Sequence, residues 1–339
     1  MNYKGYNRET YLEGMKKTLD LRPVIESYME DIFSQGIENI VLCGIGGTIS
    51  IMLPIEKFLK KRTKMPVYVE NAAELVLGNN KAVGEKSLVV LYSASGTTKE
   101  TVAAVRYCNE HHIPNIGVSY KKDTPLYDEL KYPILGIGED EYSCDGDYMN
   151  LFLIASAFLK KNGDMPDYES FMQALARLPE AMADTKEEAD AAMKELAYDI
   201  KDETYHMLVG AGNVWGPTYC FAMCYMEEMQ WMKTKSIQSP EFFHGTLELL
   251  EEDTNIMIFN GEDETRPLTD RVIHFANKIS KKVRVIDTKD YVPGKVDEKY
   301  RGDFSPAILE AVLGRLTAHL EDATGHSLDI RRYYRVMEY

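Results

Sequence analysis

A run of apolar residues followed by glycines occurs twice in this chain of 339 residues, and its interval recurs elsewhere in the sequence. The first copy begins at Val41 and the second at Met207, 166 residues later. A second pair of apolar runs begins at Leu88 and at Asn255, 167 residues apart. Similar segments at a nearly constant interval are typical of a duplicated domain. The sequence therefore predicts two tandem copies of one fold.

Each copy has the pattern of an α/β unit. In the first copy an apolar strand at residues 40–43 leads into Gly44-Ile45-Gly46-Gly47-Thr48, and a helix follows. A strand, a glycine turn and a helix in this order begin a doubly wound fold. We expect an α/β protein with two domains, each a parallel five-stranded flavodoxin-like sheet flanked by helices. Further strands in the first copy are predicted at residues 67–69, 88–92, 113–118 and 132–135.

The predicted domain boundaries follow the repeat. Two N-terminal helices occupy residues 1–35, and Pro23 marks the start of the second helix. The first domain covers residues 36–192. The second domain covers residues 193–339, including a C-terminal tail.

The composition argues against several classes of partner. Lysine and arginine number 39 against 54 aspartates and glutamates, and the net charge of -15 disfavours nucleic acid and anionic membranes as partners. Five cysteines without a CxxC pair argue against a disulfide framework or a zinc cluster. The polar N-terminus lacks the pattern of a signal peptide, and no apolar run approaches ~18 residues. We expect a cytoplasmic protein with no membrane segment and no metal.

The most specific pattern in the first half follows the strand at residues 88–92. There Ser93-Ala94-Ser95-Gly96-Thr97-Thr98 leads into a helix that begins at Lys99. Hydroxyls and free backbone N–H groups converge at such a helix N-terminus, where the helix dipole favours an anion. No lysine follows in the register of a Walker loop, so the pattern favours a monophosphate held without a metal. An ordinary hydroxyl-rich helix cap is the alternative.

The two copies differ at this loop and at one turn. Residues 93–98 correspond to Asn260-Gly261-Glu262-Asp263-Glu264-Thr265, whose three carboxylates would repel a phosphate. Leu77 of the first copy corresponds to His244 of the second. We therefore expect an anion site in the first half only, and a specialised histidine in the second half.

Glu228 and His244 are the candidate catalytic residues. Glu228 lies in a segment that is apolar almost all round, which predicts a buried helix. A carboxylate in such a helix needs a partner or a chemical role. A carboxylate and an imidazole are the usual pair for moving protons on a sugar. The alternative is that Glu227 or Glu228 merely faces solvent.

These features resemble those of the sugar isomerase (SIS) family of phosphosugar-handling proteins, over nearly the whole chain as two tandem SIS domains. The loop at residues 93–98 is similar to the family's S-x-S-G-x-T phosphate loop. Glu228 and His244 are sixteen residues apart, as are the catalytic Glu and His of the isomerase domain of glucosamine-6-phosphate synthase. The E-F-x-H-G turn at residues 241–245 and the R-R-Y-Y…E-Y ending at residues 331–339 resemble those of the deglycases of 6-phosphofructosamines.

The resemblance implies a deglycase that needs no cofactor and acts on a 6-phosphofructosyl amino acid. Glu228 would move a proton between C1 and C2 of the sugar, and His244 would open the ring. The resemblance also implies a homodimer in which these two residues, from different chains, share one site. The residues that it assigns to the 6-phosphate are Ser93, Ser95, Thr98, Thr48 and Gly47.

Departures from the synthase favour deglycation over aldose–ketose isomerisation. Tyr225 and Phe243 stand where the synthase has lysines, and the C-terminal tail has arginines but no lysine. A phosphosugar isomerase and a non-catalytic phosphosugar sensor stay open as alternatives. Arg331 and Arg332 are candidate contacts for the amino-acid part of the substrate, as is Asp145 in the acidic segment 139–147. Interface packing and helix capping are the alternatives for these three residues.

Overall fold

The computed structural model describes residues 3–137 and 144–338, and the chain divides into two compact units. The first unit contains the described residues of 8–140 and 146–179. The second unit contains the described residues of 1–7, 141–145 and 180–339. The predicted domain boundary at residue 192 falls inside a single long helix, Tyr168–Ile200, which also contains the division after Pro179.

The first unit is built on a five-stranded sheet in which every pairing is parallel, as predicted. Its elements are α1 (Arg8–Leu19), α2 (Arg22–Phe33), β1 (Asn39–Gly44), α3 (Gly47–Lys60), β2 (Val67–Asn71), α4 (Ala72–Gly78), β3 (Ser87–Tyr92), α5 (Lys99–Glu110), β4 (Asn115–Ser119), α6 (Pro125–Glu129), β5 (Tyr132–Leu135), α7 (Asp145–Asn162) and the first part of α8 (Tyr168–Ile200). The strand order is β2-β1-β3-β4-β5. The order reverses between β1 and β3, which makes their carboxyl ends the place where ligands bind in such folds.

The central strand β3 is buried at all six of its residues. Helices cover both faces of a parallel sheet, which explains why the sequence of this strand is an almost unbroken apolar run. Val89 and Leu91 pack on one face with Val105 of α5. Alternate side chains of a strand point to opposite faces, so Tyr92 at the end of β3 faces away from α5.

The second unit carries a four-stranded parallel sheet in the order β7-β6-β8-β9. Its elements are the rest of α8, β6 (His206–Gly210), α9 (Trp215–Cys220), a π-helix (Phe221–Met229), β7 (Thr234–Gln238), α10 (Ser239–Phe242), β8 (Asn255–Asn260), α11 (Arg266–Ile279), β9 (Val283–Asp287) and α12 (Arg301–Thr324). This strand order repeats that of β2, β1, β3 and β4, which confirms the duplicated α/β fold predicted from the repeat.

The core of the second unit follows the alternation of its strands. Met207 and Val209 pack on one face of β6 with Val272 of α11. Leu208 lies on the other face, in a cluster with Val312 of α12. The π-helix joins this second cluster through Phe221, Ala222, Tyr225 and Met226. One side of the segment that carries Glu228 is thereby fixed to the core.

The expectation of a fifth strand in the second sheet is wrong for the part of the chain that the structure describes. After β9 the chain turns at Val292 (φ 44°) and Gly294 (φ 77°), which no strand accommodates. The guanidinium of Arg301 also donates to the carbonyls of Thr288, Tyr291 and Val292, at 3.0–3.2 Å. These three carbonyls are therefore bonded to the Arg301 side chain and do not pair with β9 as a fifth strand would.

No helix in the described ranges combines the length and the apolar composition needed to cross a membrane.

Candidate active site

The predicted phosphate loop lies at the carboxyl edge of the first sheet. Residues 93–98 connect β3 to α5, and the glycine turn at residues 45–47 connects the neighbouring strand β1 to α3. The two connections therefore leave the sheet side by side, where the strand order reverses. The N-termini of α3 and α5 both begin at this edge, and both helix dipoles favour an anion there.

Three hydroxyls of the loop converge on one another. The Ser93 hydroxyl lies 2.9 Å from that of Thr98 and 3.4 Å from that of Ser95. Thr98 is the N-cap residue of α5, yet its side chain makes no capping hydrogen bond. The Thr98 side chain therefore does not act as an ordinary cap of α5. The hydroxyl cluster has the donors that a phosphate oxygen takes from side chains.

Gly96 sets the shape of this loop. Its φ of +67° is in the left-handed region, and a Cβ atom there would lie 2.1 Å from the hydroxyl oxygen of Thr124. No side chain fits at that distance, so the loop requires glycine for both conformation and space. Its N–H donates to the carbonyl of Ser93 at 3.0 Å, which closes the turn.

Gly47 and Thr48 lie in the adjacent turn. Gly47 is the first residue of α3, and Gly46 precedes it with φ 60°. The Thr48 hydroxyl donates to the carbonyl of Ile45 at 2.9 Å and accepts from the Ile45 N–H at 3.0 Å. The donor of Thr48 is thus engaged within its own turn, so this residue shapes the turn in the ligand-free structure.

The equivalent position in the second unit is filled by the protein's own carboxylate. Asp263, in the loop after β8, accepts from the N–H of Asn213 at 2.6 Å and from the N–H of Thr265 at 2.7 Å. The Thr265 hydroxyl donates to the same carboxylate at 2.5 Å. Asn213 follows β6, so Asp263 bridges the two connections that correspond to those of the phosphate site. An internal anion thus takes the backbone donors that a phosphate would need.

A second carboxylate of this loop is neutralised by a buried arginine. Glu262 receives two hydrogen bonds from the guanidinium of Arg301, at 2.7 and 2.8 Å. The two side chains are only 8% and 6% exposed. Other N–H groups of this guanidinium donate to the carbonyls of Thr288, Tyr291 and Val292, so most of its donors are occupied within the protein. The sequence predicted that this loop repels phosphate, and the structure adds that its charges are already paired.

Glu228 lies near the end of the π-helix rather than in the α-helix expected from the sequence. Helices with this wider spacing are rare and occur often at functional sites. The Gln230 N–H bonds to the Tyr225 carbonyl, five residues earlier, and Trp231 follows in the left-handed region at φ 56°. The widened helix and sharp exit turn Glu228 out of the core, where it is half-buried.

The C-terminal tail closes over Glu228. The Arg331 guanidinium donates to the Glu228 carboxylate at 2.7 Å, and the Arg332 guanidinium stacks 4.1 Å from the ring centre of Trp231. Sequence reasoning did not anticipate this pairing, since the partners are 103 residues apart. A cleft of about 290 Å³ lies at this contact. Its lining residues are Glu227, Glu228, Trp231, Met232, Arg331, Arg332, Tyr333 and Tyr334.

His244 stands at an exposed turn of the second unit. It directly follows Phe243, the C-cap residue of α10, and its N–H donates to the carbonyl of Glu241 at 3.0 Å. The side chain is exposed, as is its counterpart Leu77 in the first unit. Gly245 follows with φ 133°, and a Cβ there would meet nothing within 4 Å. The ring of His244 makes no hydrogen bond with any described residue, so it is available to a ligand or another chain.

The expectation that Asp145 contacts the substrate is corrected by the structure. Asp145 is 0% exposed and lies 3.3 Å from the Lys186 ammonium, which is also fully buried. A sealed ion pair leaves no surface for a substrate group. Residues 139–141 of the same acidic segment lie outside the described residues.

A third carboxylate, Asp147, ends the acidic segment for which the sequence left helix capping and a substrate contact open. Its Oδ1 accepts from the Tyr92 hydroxyl at 2.7 Å and also from the Tyr120 hydroxyl. Removal from water raises the pKa of Asp147 to about 7, and the hydrogen bond from Tyr92 opposes that shift. The tyrosine that ends β3, directly before Ser93, was the available signal in the sequence.

Comparisons with known proteins show which family and fold this chain resembles. A family model described as the SIS domain matches residues 35–160. The fructosamine deglycase FrlB of Bacillus subtilis (strain 168) is 29% identical over 318 residues, covering 93% of this chain and 97% of the relative. The fructoselysine 6-phosphate deglycase of Escherichia coli (strain K12) is 22% identical over 321 residues, covering 92% and 90% respectively.

Solved structures share the fold. A candidate phosphosugar isomerase from Bacillus subtilis superposes with a TM-score of 0.89 and 28% identity, covering 94% of this chain and 97% of that one. The C-terminal domain of the glucosamine-fructose-6-phosphate aminotransferase from Francisella tularensis has a TM-score of 0.76 at 16% identity, covering 94% and 98%. The resemblance drawn from the sequence is confirmed: residues 35–160 match the SIS domain, and nearly the whole chain is similar to the FrlB deglycase and to the solved candidate phosphosugar isomerase.

Proposed function

We propose that this protein is a cofactor-independent deglycase that converts a 6-phosphofructosyl amino acid and water into glucose 6-phosphate and the free amino acid. The observation that carries the proposal is the open hydroxyl loop of the first unit, whose counterpart in the second unit is filled by Asp263. The names of the relatives, fructosamine deglycase and fructoselysine 6-phosphate deglycase, support the same reaction.

The phosphate loop would anchor the substrate through its 6-phosphate. Ser93, Ser95 and Thr98 supply hydroxyl donors, and the helix N-terminus behind them supplies N–H groups and a favourable dipole. Gly47 offers a backbone N–H from the adjacent turn, which Thr48 shapes. Binding energy from this distal group orients the reacting carbons without taking part in the chemistry.

Glu228 would act as the base that removes a proton from C1 of the open-chain sugar. The C1–H electron pair forms the C1=C2 bond of an enolamine, and the C2 carbonyl oxygen takes up a proton. Return of a proton to C2 leaves a C1=N imine. Water adds to that imine, and the C1–N bond breaks with proton transfer to nitrogen, releasing the amine. Every proton removed is returned, so the reaction consumes water alone.

His244 would open the sugar ring before proton abstraction. Its imidazole would donate a proton to the ring oxygen while the anomeric hydroxyl loses one, which breaks the C2–O bond of the ring. Imidazole is the side chain most often used for acid–base catalysis near neutral pH. The exposure of His244 supports a role toward another chain, and we propose a cytoplasmic homodimer whose sites are completed by the partner's histidine.

Arg331 would act as the counter-ion of Glu228 until substrate enters. The side chains of Arg331 and Glu228 are 16% and 31% exposed, so an entering ligand can replace this ion pair at a modest cost in free energy. Once displaced, Arg331 and the neighbouring Arg332 offer two guanidinium groups to the carboxylate of the amino-acid part. Guanidinium is the side chain best shaped for a carboxylate.

The test is release of glucose 6-phosphate from a panel of 6-phosphofructosyl amino acids, with no cofactor added. Release from at least one member supports deglycation and identifies the amine. Interconversion of fructose 6-phosphate or glucosamine 6-phosphate, with the panel untouched, would replace the proposal by a phosphosugar isomerase. Phosphosugar binding without either reaction would identify a sensor.

A mixing experiment tests the shared site. Glu228→Gln and His244→Ala chains, each inactive alone, are combined and reassembled. Recovered activity is expected, because one of the two sites in each heterodimer would then hold an intact Glu228 and an intact His244. No recovery in verified heterodimers would place both residues of a site on one chain.

A further inference from the structure

A carboxyl–phenol cluster stands beside the phosphate loop in the first unit. Tyr92 ends β3 and directly precedes Ser93. Tyr120 directly follows β4, and its N–H donates to the carbonyl of Ala94, inside the phosphate loop, at 3.1 Å. Both phenols donate to Asp147 on α7. The cluster is therefore tied to the phosphate loop through both of its tyrosines.

The two oxygens of Asp147 have different surroundings. Oδ1 accepts both tyrosine hydroxyls, and Asn150 donates to the Tyr92 oxygen at 3.3 Å, which fixes the direction of that phenol. Oδ2 has no hydrogen-bond partner among the described residues, and the side chain is half-buried rather than sealed. The carboxyl group is thus held rigidly by one oxygen and presents the other as an acceptor.

The Asp147 carboxylate lies beside a predicted phosphate site, where its negative charge would be unfavourable unless it has a function. For inorganic phosphate, a nearby carboxylate adds only repulsion. A sugar phosphate is different, because its carbon chain carries hydroxyl donors next to the phosphate. A pre-positioned acceptor bonds such a donor strongly, and it discriminates against ligands that lack it.

We propose that Asp147 is a specificity-determining residue of the phosphosugar site, whose Oδ2 accepts a hydrogen bond from a hydroxyl group of the sugar. Tyr92 and Tyr120 are positioning residues that hold Oδ1. This inference rests on the proposed phosphate site in the loop at residues 93–98. It assigns to the first unit a second contact with the ligand, beyond the phosphate.

The test compares two ligands on one variant, Asp147→Asn. The amide keeps an oxygen to accept both phenols, and it replaces the acceptor Oδ2 with an N–H₂ donor. Binding of fructose 6-phosphate and of inorganic phosphate is measured by calorimetry at pH ~9, where Asp147, with its pKa of about 7, is ionised. All proteins carry Glu228→Gln to prevent turnover. We expect fructose 6-phosphate to bind about tenfold more weakly, and inorganic phosphate to bind within about twofold of the parent.

Two controls accompany this variant. Asp128→Asn removes an exposed carboxylate of α6 and equals Asp147→Asn in net charge, so it should leave both affinities unchanged. Tyr120→Phe removes one donor to Oδ1 but keeps Oδ2, and it should weaken fructose 6-phosphate by about threefold at most. Circular dichroism and melting confirm that each variant is folded.

The outcomes separate this inference from the proposed function. Unchanged binding of fructose 6-phosphate by Asp147→Asn would overturn the role of Oδ2. Equal weakening of both ligands would also overturn it, because the residue would then merely support the loop. If the Glu228→Gln parent binds neither ligand, the proposed phosphate site is wrong, and so is the inference about Asp147 that rests on it.

Discussion

The loop after β3 and the loop after β8 occupy the same position in two copies of one fold, yet they treat negative charge in opposite ways. The first presents three converging hydroxyls, with Ser93 only 2.9 Å from Thr98. The second folds its own Asp263 onto the backbone N–H groups of Asn213 and Thr265. The first loop is open to an external anion, whereas the second is complete without one.

This difference shows how a duplicated fold retains its architecture while only one copy keeps a ligand site. Backbone N–H groups at helix N-termini must be satisfied by something. In one copy the partner is supplied from outside, and in the other it comes from the chain. The loop sequence, rather than the fold, therefore decides whether these N–H groups bind an external anion or a carboxylate of the chain itself.

The largest expected effect comes from making the first loop resemble the second. Ser95→Asp places a carboxylate at the position that corresponds to Glu262, with no arginine to pair it. We expect fructose 6-phosphate to bind about 1,000-fold more weakly, because like charges brought together cost several kcal/mol. Calorimetry measures the affinity. Ser95→Ala is the control and should cost only about tenfold, and near-normal binding by Ser95→Asp would break the comparison.

The reverse change removes the internal carboxylate from the second loop. Asp263→Ala leaves the N–H groups of Asn213 and Thr265 without their acceptor. We expect the free energy of unfolding to fall by about 3 kcal/mol, as measured by urea denaturation. Added phosphate or sulfate should restore part of this loss by taking the vacated position. An unchanged stability would contradict the assignment of Asp263 as an internal anion.

Two glycines separate the effect of backbone conformation from that of crowding. Gly36 and Gly96 have φ of +77° and +67°, but a Cβ meets nothing within 4 Å at Gly36 and lies 2.1 Å from the Thr124 oxygen at Gly96. Gly36→Ala should cost about 1 kcal/mol, and Gly96→Ala about 2 kcal/mol more. Urea denaturation measures both. Equal losses would show that Thr124 simply moves aside.

The last expected effect is a pH dependence from Asp147. Its pKa of about 7 in the folded protein exceeds the unfolded value of ~3.9, so the folded state binds more protons between these two pH values. The group's contribution to stability is therefore present below pH ~4 and lost as pH rises through ~7. Between pH 4 and 8, the free energy of unfolding of wild type should fall relative to that of Asp147→Asn, as measured by urea denaturation. A parallel pH profile for the two proteins would contradict the shift.

Much of the fold followed from local sequence. The apolar runs at β1 and β6, with the glycine turns that follow them, and the apolar runs at β3 and β8 identify strands because buried parallel strands have a strong local signature. The phosphate loop is equally local, since its six residues are contiguous. The repeat then predicted the second copy, except that the second sheet has four strands in the described residues rather than five.

The candidate site depended on contacts that sequence does not display. Arg331 pairs with Glu228 across 103 residues, and Asp147 bonds to Tyr92 across 55. Such pairs carry no periodic pattern, because they depend on where the tail and α7 pack. The π-helix was also missed, since residues 221–229 have the composition of an ordinary buried helix. The sequence of the acidic segment likewise gave no sign that Asp145 is buried against Lys186.

The most direct test of the account separates binding from chemistry. The affinity for a 6-phosphofructosyl amino acid and its turnover are measured in parallel for wild type, Glu228→Gln and Ser95→Asp. We expect Glu228→Gln to bind within about threefold of wild type while kcat falls by at least ~100-fold. We expect Ser95→Asp to lose binding. Full turnover by Glu228→Gln, or unchanged substrate binding by Ser95→Asp, would contradict a deglycase that binds the phosphate at residues 93–98 and transfers protons through Glu228.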